Sequence, residues 1–361
     1  MIAHACPRVR GGRTRRYCSA GVHCMSVTHS PVATATTSVA SFYKFVGVAA
    51  PQALRTTLLG QARACSVLGT ILLGPEGINA NIAGTRAAVA AMLDCIRAQP
   101  EFTALDVRWS ETASPPFRRL KIKIKPEIVT LGQPDLATAQ QTGTRVEPAA
   151  WNDLIETADV LLVDIRNSYE TRIGTFVGAH DLALASFRDF PHAIDQLLAA
   201  TGARRVAMFC TGGIRCEKAS AYLRARGCEE VYQLAGGILR YLAETPARRS
   251  RWAGECFVFD TRVAVDPSLA LGTHTQCYGC RRPLTPTDRQ SPLFAQGVSC
   301  PQCHYQLSRA QRAAFAERRH QVVLAAAREQ PHIGAVMPVP APTGTHPNTR
   351  PGEPPHGAVS G

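Results

Sequence analysis

The chain lacks any run of about 18 apolar residues, the length a helix needs to cross a membrane, so no spanning helix is expected. No secretory signal is evident. No His/His/carboxylate iron signature and no dinucleotide fingerprint occur, so neither a flavin nor a nicotinamide site is expected. Acidic residues are missing from residues 1–38, which carry Arg8, Arg10, Arg13, Arg15 and Arg16. With no hydrophobic period either, that stretch is expected to be disordered. Its composition fits an organellar transit peptide, or a start placed too early with Met25 as the true one. On the second reading Cys6, Cys18 and Cys24 carry no role.

The 361 residues suffice for two or three domains with an ample core. Thirteen cysteines without a secretory context read as reduced thiols in a cytosolic protein. The net charge of +13 favours a polyanionic partner such as nucleic acid, although an arginine-rich genome gives the same bias.

Residues 39–130 alternate strand-like and helix-like segments in the order β-α-β-β-α-β. That order predicts an α+β domain that is ferredoxin-like, or acylphosphatase-like. Late in it, Leu120, Ile122 and Ile124 alternate with Lys121, Lys123 and Lys125, after Arg118 and Arg119. The five cations are either a solvated edge protected against aggregation or a track for an RNA backbone. Residues 131–146, with Gly, Pro, Thr and Gln, are expected to be a linker.

The next segment, 147–250, holds the most informative run. The apolar stretch Val206–Phe209 ends at Cys210, and a short loop of Thr211, Gly212, Gly213 and Ile214 leads into a helix-like segment. A strand–loop–helix order places Cys210 at the carboxyl end of a buried parallel strand, beneath a helix amino terminus. Loop N–H groups and the helix dipole favour negative charge there, so the thiol should ionise easily. Arg215 follows Cys210 by five positions. The loop is one residue tighter than that of protein tyrosine phosphatases and suits a single sulfur better than a phosphate. It resembles the active loop of rhodanese domains, which carry sulfur as a cysteine persulfide. Asp164, Arg166 and Glu170 match the rhodanese signature Asp-x-Arg-x-x-x-Glu, and Gly174–Ala179 matches the next one with Thr175 in place of the usual histidine. Asp164 and Arg166 read as structural groups. Cys216 is either a resolving thiol or a packing residue.

Residues 251–305 form a Cys-rich segment with two Cys-x-x-Cys pairs, Cys277/Cys280 and Cys300/Cys303, separated by nineteen residues. The spacing suits tetrahedral structural zinc, the other reading being redox dithiols. His274 and His304 are near enough to compete as ligands. Residues 306–330 read as a basic helix with Arg309, Arg312, Arg318 and Arg319, and 331–361 as a disordered Pro- and Gly-rich tail.

The string Cys210–Ser220, with Glu76–Ala80 and Ser41–Lys44, resembles the bacterial tRNA uridine(34) hydroxylases over about residues 40–305. So does the order of parts: ferredoxin-like domain, rhodanese domain, cysteine-rich tail. The resemblance implies oxygen-dependent conversion of uridine to 5-hydroxyuridine at the wobble position, with the tRNA anticodon loop as partner and molecular oxygen as co-substrate. It also implies that Cys210 is the active-site cysteine, usually described as a persulfide intermediate. On this reading the Cys210 sulfur adds to C6 of uracil, while Arg215 and the loop N–H groups hold the thiolate or the developing oxyanion. Two alternatives stay open: a thiosulfate-type sulfurtransferase, and a non-catalytic RNA- or protein-binding scaffold.

Overall fold

The computed structural model describes residues 36–330 except 137 and 140. The segments 1–35 and 331–361, with Cys6, Cys18, Cys24 and Met25, lie outside the described residues.

The first body contains β1 (Thr37–Phe45), α1 (Pro51–Ala64), β2 (Leu68–Gly74), β3 (Gly77–Gly84), α2 (Arg86–Arg97), β4 (Val107–Thr112) and β5 (Leu120–Ile124). The strands lie in the order β4-β1-β3-β2-β5. The first four are mutually antiparallel, and β5 adds a parallel edge beside β2. Helix spacing decides the burial: α1 buries Leu54, Leu58 and Ala62, and α2 buries Val89, Met92, Leu93 and Ile96. Both stripes pack on Phe42, Ile71, Leu73, Ile78 and Ile82 of the sheet. Thr85 caps α2 by accepting the Ala88 N–H at 3.2 Å. Strand β1 begins at Thr37, inside the stretch expected to be an extension.

The second body contains β6 (Thr144–Val146), α3 (Pro148–Ile155), β7 (Val160–Asp164), α4 (Ser168–Thr171), β8 (Gly174–Phe176), β9 (His180–Asp181), α5 (Phe190–Thr201), β10 (Arg205–Phe209), α6 (Ile214–Ala225), β11 (Glu230–Leu234) and α7 (Gly237–Glu244). Its sheet, β6-β11-β10-β7-β9, is parallel throughout. Strand β10 shows why: Val206 and Met208 enter the core on one face, Ala207 and Phe209 the core on the other. A strand buried on both faces must be continuously apolar.

Two boundaries differ from the expected ones. The last three residues of the 131–146 stretch, β6, pair with β11 and carry Val146 against the core. Beyond 250, β12 (Trp252–Gly254) pairs with β8, and β13 (Cys256–Phe257) pairs with β14 (Ala264–Val265). Trp252, Cys256, Val258 and Val265 are buried in the same core as Trp151 and Phe176. The cysteine-rich module therefore starts after residue 265. It holds β15 (Thr275–Gln276), β16 (Pro283–Leu284), α8 (Pro286–Gln290) and the long α9 (Arg309–Ala327). No described helix is long and apolar enough to cross a membrane.

Candidate active site

Cys210 sits one residue beyond β10 and four before α6, with 1% of its surface exposed. Its sulfur faces the loop: the Gly213 N–H donates to Sγ at 3.1 Å. Gly213 needs its φ of 97°, and a Cβ there would stand 2.8 Å from the Tyr43 hydroxyl. The loop carbonyls are held from outside by the first N–H groups of α7, Ile238 to Cys210 at 3.0 Å and Leu239 to Thr211 at 3.2 Å. Gly237 allows this approach, since a Cβ would lie 2.5 Å from the Cys210 carbonyl oxygen.

Burial alone would raise the Cys210 pKa. The Cys216 thiol, the Arg215 charge and the N–H groups of Cys216 and Gly213 outweigh it and bring the group down to about 5. Cys216, also fully buried, moves the other way, first through burial and then through the charge on Cys210. The two sulfurs thus move apart, Cys210 toward the thiolate and Cys216 toward the thiol.

Arg215 is committed elsewhere than expected. Its Nη1 and Nη2 donate to Glu170 Oε2 and Oε1 at 2.6 and 2.7 Å. Its charge therefore acts on Cys210 through space. Glu170 also accepts the Asn167 N–H at 3.1 Å and the Thr211 hydroxyl at 3.3 Å. Burial works against this carboxylate, but Arg215 wins and holds it below the usual range. Glu170 lies in the short α4. Asp164 and Arg166 pair with each other fully buried, Nε to Oδ1 at 2.9 Å, and Arg166 donates to the Gly174 carbonyl at 2.6 Å. The Thr175 hydroxyl donates to Asp164 at 2.8 Å, so its replacement of histidine serves this brace and leaves the sulfur loop untouched.

The first body reaches the loop directly. Arg108 of β4 donates to the carbonyls of Gly212 and Gly236, both at 2.6 Å. Tyr43 of β1 donates to Glu217 at 3.2 Å, and Arg145 and Gln233 donate to the same carboxylate. Burial, then the Glu217 charge, push the Tyr43 phenol up. These side chains line a cavity of about 100 Å³ floored by Gly213. Below it, the fully buried Lys218 of α6 lies 2.9 Å from Glu76 and 3.0 Å from Glu127. A larger groove of about 1000 Å³ opens at the amino-terminal end of the parallel sheet, lined by Asp159, Arg205, Arg226 and Glu230. It lies at the opposite strand ends from Cys210 and touches none of the loop residues, so its size does not make it the reactive site.

Sequence reasoning singled out Cys210, Thr211–Ile214, Arg215 and Cys216, and the structure brings them together. It missed Arg108, for which β4 carries no signal. It also missed that Tyr43, Glu76 and Lys218, three residues of the quoted motifs, meet at one interface.

Arg118, Arg119, Lys123 and Lys125 are exposed along the free edge of β5, and Lys121 is half-buried. None of the five makes an ion pair among the described residues. Burial, then repulsion from Arg119, Lys123 and Arg281, lowers the Lys121 pKa.

In the third body, the sulfurs of Cys277, Cys280, Cys300 and Cys303 lie within 4.8 Å of one another and could hold a metal ion. His274 is turned to Glu255 at 2.6 Å, and His304 to Arg312, so neither histidine joins them. Arg318 of α9 donates to the Tyr278 carbonyl at 2.7 Å, and Arg319 to Gln296 at 2.9 Å. Much of the basic helix's charge is therefore used in docking it onto the module.

Residues 37–128 match the family described as UPF0176 acylphosphatase like domain, and residues 147–244 match the Rhodanese-like domain. The chain is 48% identical over 298 residues to a protein of Mesorhizobium japonicum named tRNA uridine(34) hydroxylase, covering 82% of this chain and 96% of that one. Proteins of the same name from Gluconobacter oxydans (46% over 314 residues; 86% and 99% covered) and Agrobacterium fabrum (47% over 296; 82% and 94%) are similar to it. With such relatives matched almost end to end, the chain belongs to the tRNA uridine(34) hydroxylase family.

Proposed function

We propose that the protein hydroxylates uridine 34 of tRNA at C5, giving 5-hydroxyuridine, with Cys210 as the reacting group. The observation that carries this is the place of the Cys210 sulfur, at the end of β10 with a loop N–H donating to it at 3.1 Å, where Cys216 and Arg215 favour its anion. An anionic sulfur adds to C6 of uracil, and the electrons of the C5–C6 double bond move toward C5 and the C4 oxygen. C5 then takes one atom of molecular oxygen. Loss of the C5 proton and cleavage of the C6–S bond restore the ring. The second oxygen atom leaves as water, which consumes two electrons and two protons. The Cys210 thiolate and the Cys216 thiol together supply the two electrons and one of the protons by closing to a disulfide, which a cellular thiol reopens, and solvent supplies the other proton.

The burial of Cys210 bears on the working species. Sγ is almost sealed by its loop. A persulfide carries the reacting sulfur about 2 Å further out, one S–S bond length, toward a base splayed from the anticodon loop.

The exposed cations of β5 supply the backbone contacts that such a substrate needs, each one salt-dependent. A tRNA substrate fits a cytoplasmic protein. The four thiolates suit structural zinc: a tetrahedral ion with Zn–S near 2.3 Å holds its sulfurs roughly 3.8 Å apart. Three of the sulfur pairs stand at 3.9, 3.8 and 3.6 Å. Bound there, zinc would fix the fold of a module with few buried residues.

The test is to incubate unmodified tRNA with the protein in air and without oxygen, and to analyse nucleosides by mass spectrometry. The reading expects 5-hydroxyuridine at position 34 only in air. Sulfur transfer from thiosulfate without any change in the tRNA would favour the sulfurtransferase instead.

A further inference from the structure

Phe259 lies between β13 and β14 with 56% of its surface in solvent. Its ring centroid is 5.8 Å from the guanidinium carbon of Arg215, the arginine of the sulfur loop. Behind it, Phe257 packs edge-on at 5.1 Å, and Tyr169 packs edge-on against Phe257 at 5.2 Å. The segment bearing the ring is pinned on both sides. Arg262 grips the Asp260 carboxylate with two nitrogens, and the Thr261 N–H donates to the Pro116 carbonyl of the first body at 3.1 Å. More than half of an aromatic side chain therefore stands open to water next to the reactive loop, with the Arg215 guanidinium over its ring.

We propose that Phe259 is the platform on which the uracil of the substrate nucleotide stacks, an inference that rests on the function proposed above. A pyrimidine has a flat π face and polar edges, so an aromatic ring can hold it while leaving C5 and C6 open at the edge. A base pulled out of its own stack loses its neighbours' π contacts, and a preformed ring replaces one of them. Little is spent on ordering, because the ring is already fixed by Phe257 and the Asp260–Arg262 clasp. The exposed cations on the β5 edge carry charge but no ring, so they suit phosphates, and Phe259 suits the base.

The experiment uses the full chain and a short anticodon stem-loop RNA, once with uridine at position 34 and once with an abasic sugar there. Phe259→Ala is expected to weaken binding of the uridine RNA by roughly 5- to 150-fold, the range for losing one aromatic–base stack. It should leave binding of the abasic RNA unchanged. Phe259→Trp should restore the uridine preference, with its fluorescence quenched by the uridine RNA and not by the abasic one. On tRNA, the alanine variant should raise KM for 5-hydroxyuridine formation more than it lowers kcat. Equal weakening of both RNAs, or an alanine variant matching wild type on both, overturns the proposal and leaves the functional reading standing. Wild-type protein that forms no 5-hydroxyuridine overturns the reading itself, and the stacking proposal with it.

Discussion

At the scale of single residues, the site is a contest between desolvation and charge at Cys210. Burial penalises the anion, and the Cys216 thiol, Arg215 and two backbone N–H groups reverse the outcome. The ultraviolet thiolate absorbance of wild type minus Cys210→Ser should therefore hold at neutral pH and fall only as pH drops through about 5. A difference spectrum that titrates near the free-cysteine value would refute the loop's effect. Cys216→Ala removes the thiol that most favours the anion; a polar partner to a charged group is worth about 1.5–3 kcal/mol, so the midpoint should rise by roughly 1–2 units. Much of this was legible: an apolar run ending in Cys-Thr-Gly-Gly-Ile-Arg fixes sulfur, loop and helix by spacing alone. The partner of Arg215 was not, because Glu170 lies 45 positions away and only the β7–β10 pairing brings them together.

At the scale of elements, α6 joins the two larger bodies. Nine of its residues, Arg215 to Leu223, are buried in unbroken succession, so it shows no amphipathic stripe. One side meets the parallel sheet. The other meets the β2–β3 turn and the segment after β5, through Lys218, Glu76 and Glu127. Periodicity cannot report a helix buried on both sides, so nothing in the sequence ties the motif glutamate Glu76 to the motif lysine Lys218. Glu127 also accepts the N–H groups of Leu131, Gly132 and Gln133, which orders the start of the stretch read as a plain linker. Removing the cation leaves two carboxylates without their partner. Lys218→Met should cost about 3–5 kcal/mol in denaturant unfolding, and adding Glu127→Gln should recover part of that. Burial opposes the Glu127 charge, but Lys218 and the loop N–H groups hold its carboxyl below the ordinary value. The stability this contributes is complete above about pH 4.3, the ordinary value, and is lost as pH falls toward the lowered one. Unfolding midpoints between roughly pH 3 and 5 should fall less steeply in Lys218→Met than in wild type. An unchanged slope would contradict the role assigned to the pair.

At the scale of the whole molecule, two bodies converge on one sulfur, and a third stands on four cysteines. The fold classes were legible from element order and from the signatures, since ferredoxin-like and rhodanese-like sheets announce themselves by strand sequence. The edges of the bodies were not: Trp252, Cys256 and Val265 are short, scattered apolar residues whose burial depends on a core assembled elsewhere. The third body buries few side chains besides its cysteines and Leu284. Chelation should therefore release one metal ion per chain and open residues 266–308 to proteolysis, while the two larger bodies resist. Cys303→Ser should do the same without chelator. The central claim is that the Cys210 sulfur does the chemistry on uridine 34, and it is tested most directly by nucleoside analysis of tRNA treated in air with Cys210→Ser, its fold verified by an unchanged unfolding transition of the two larger bodies. The account predicts no 5-hydroxyuridine above background beside full conversion by wild type; conversion at the wild-type level would contradict it.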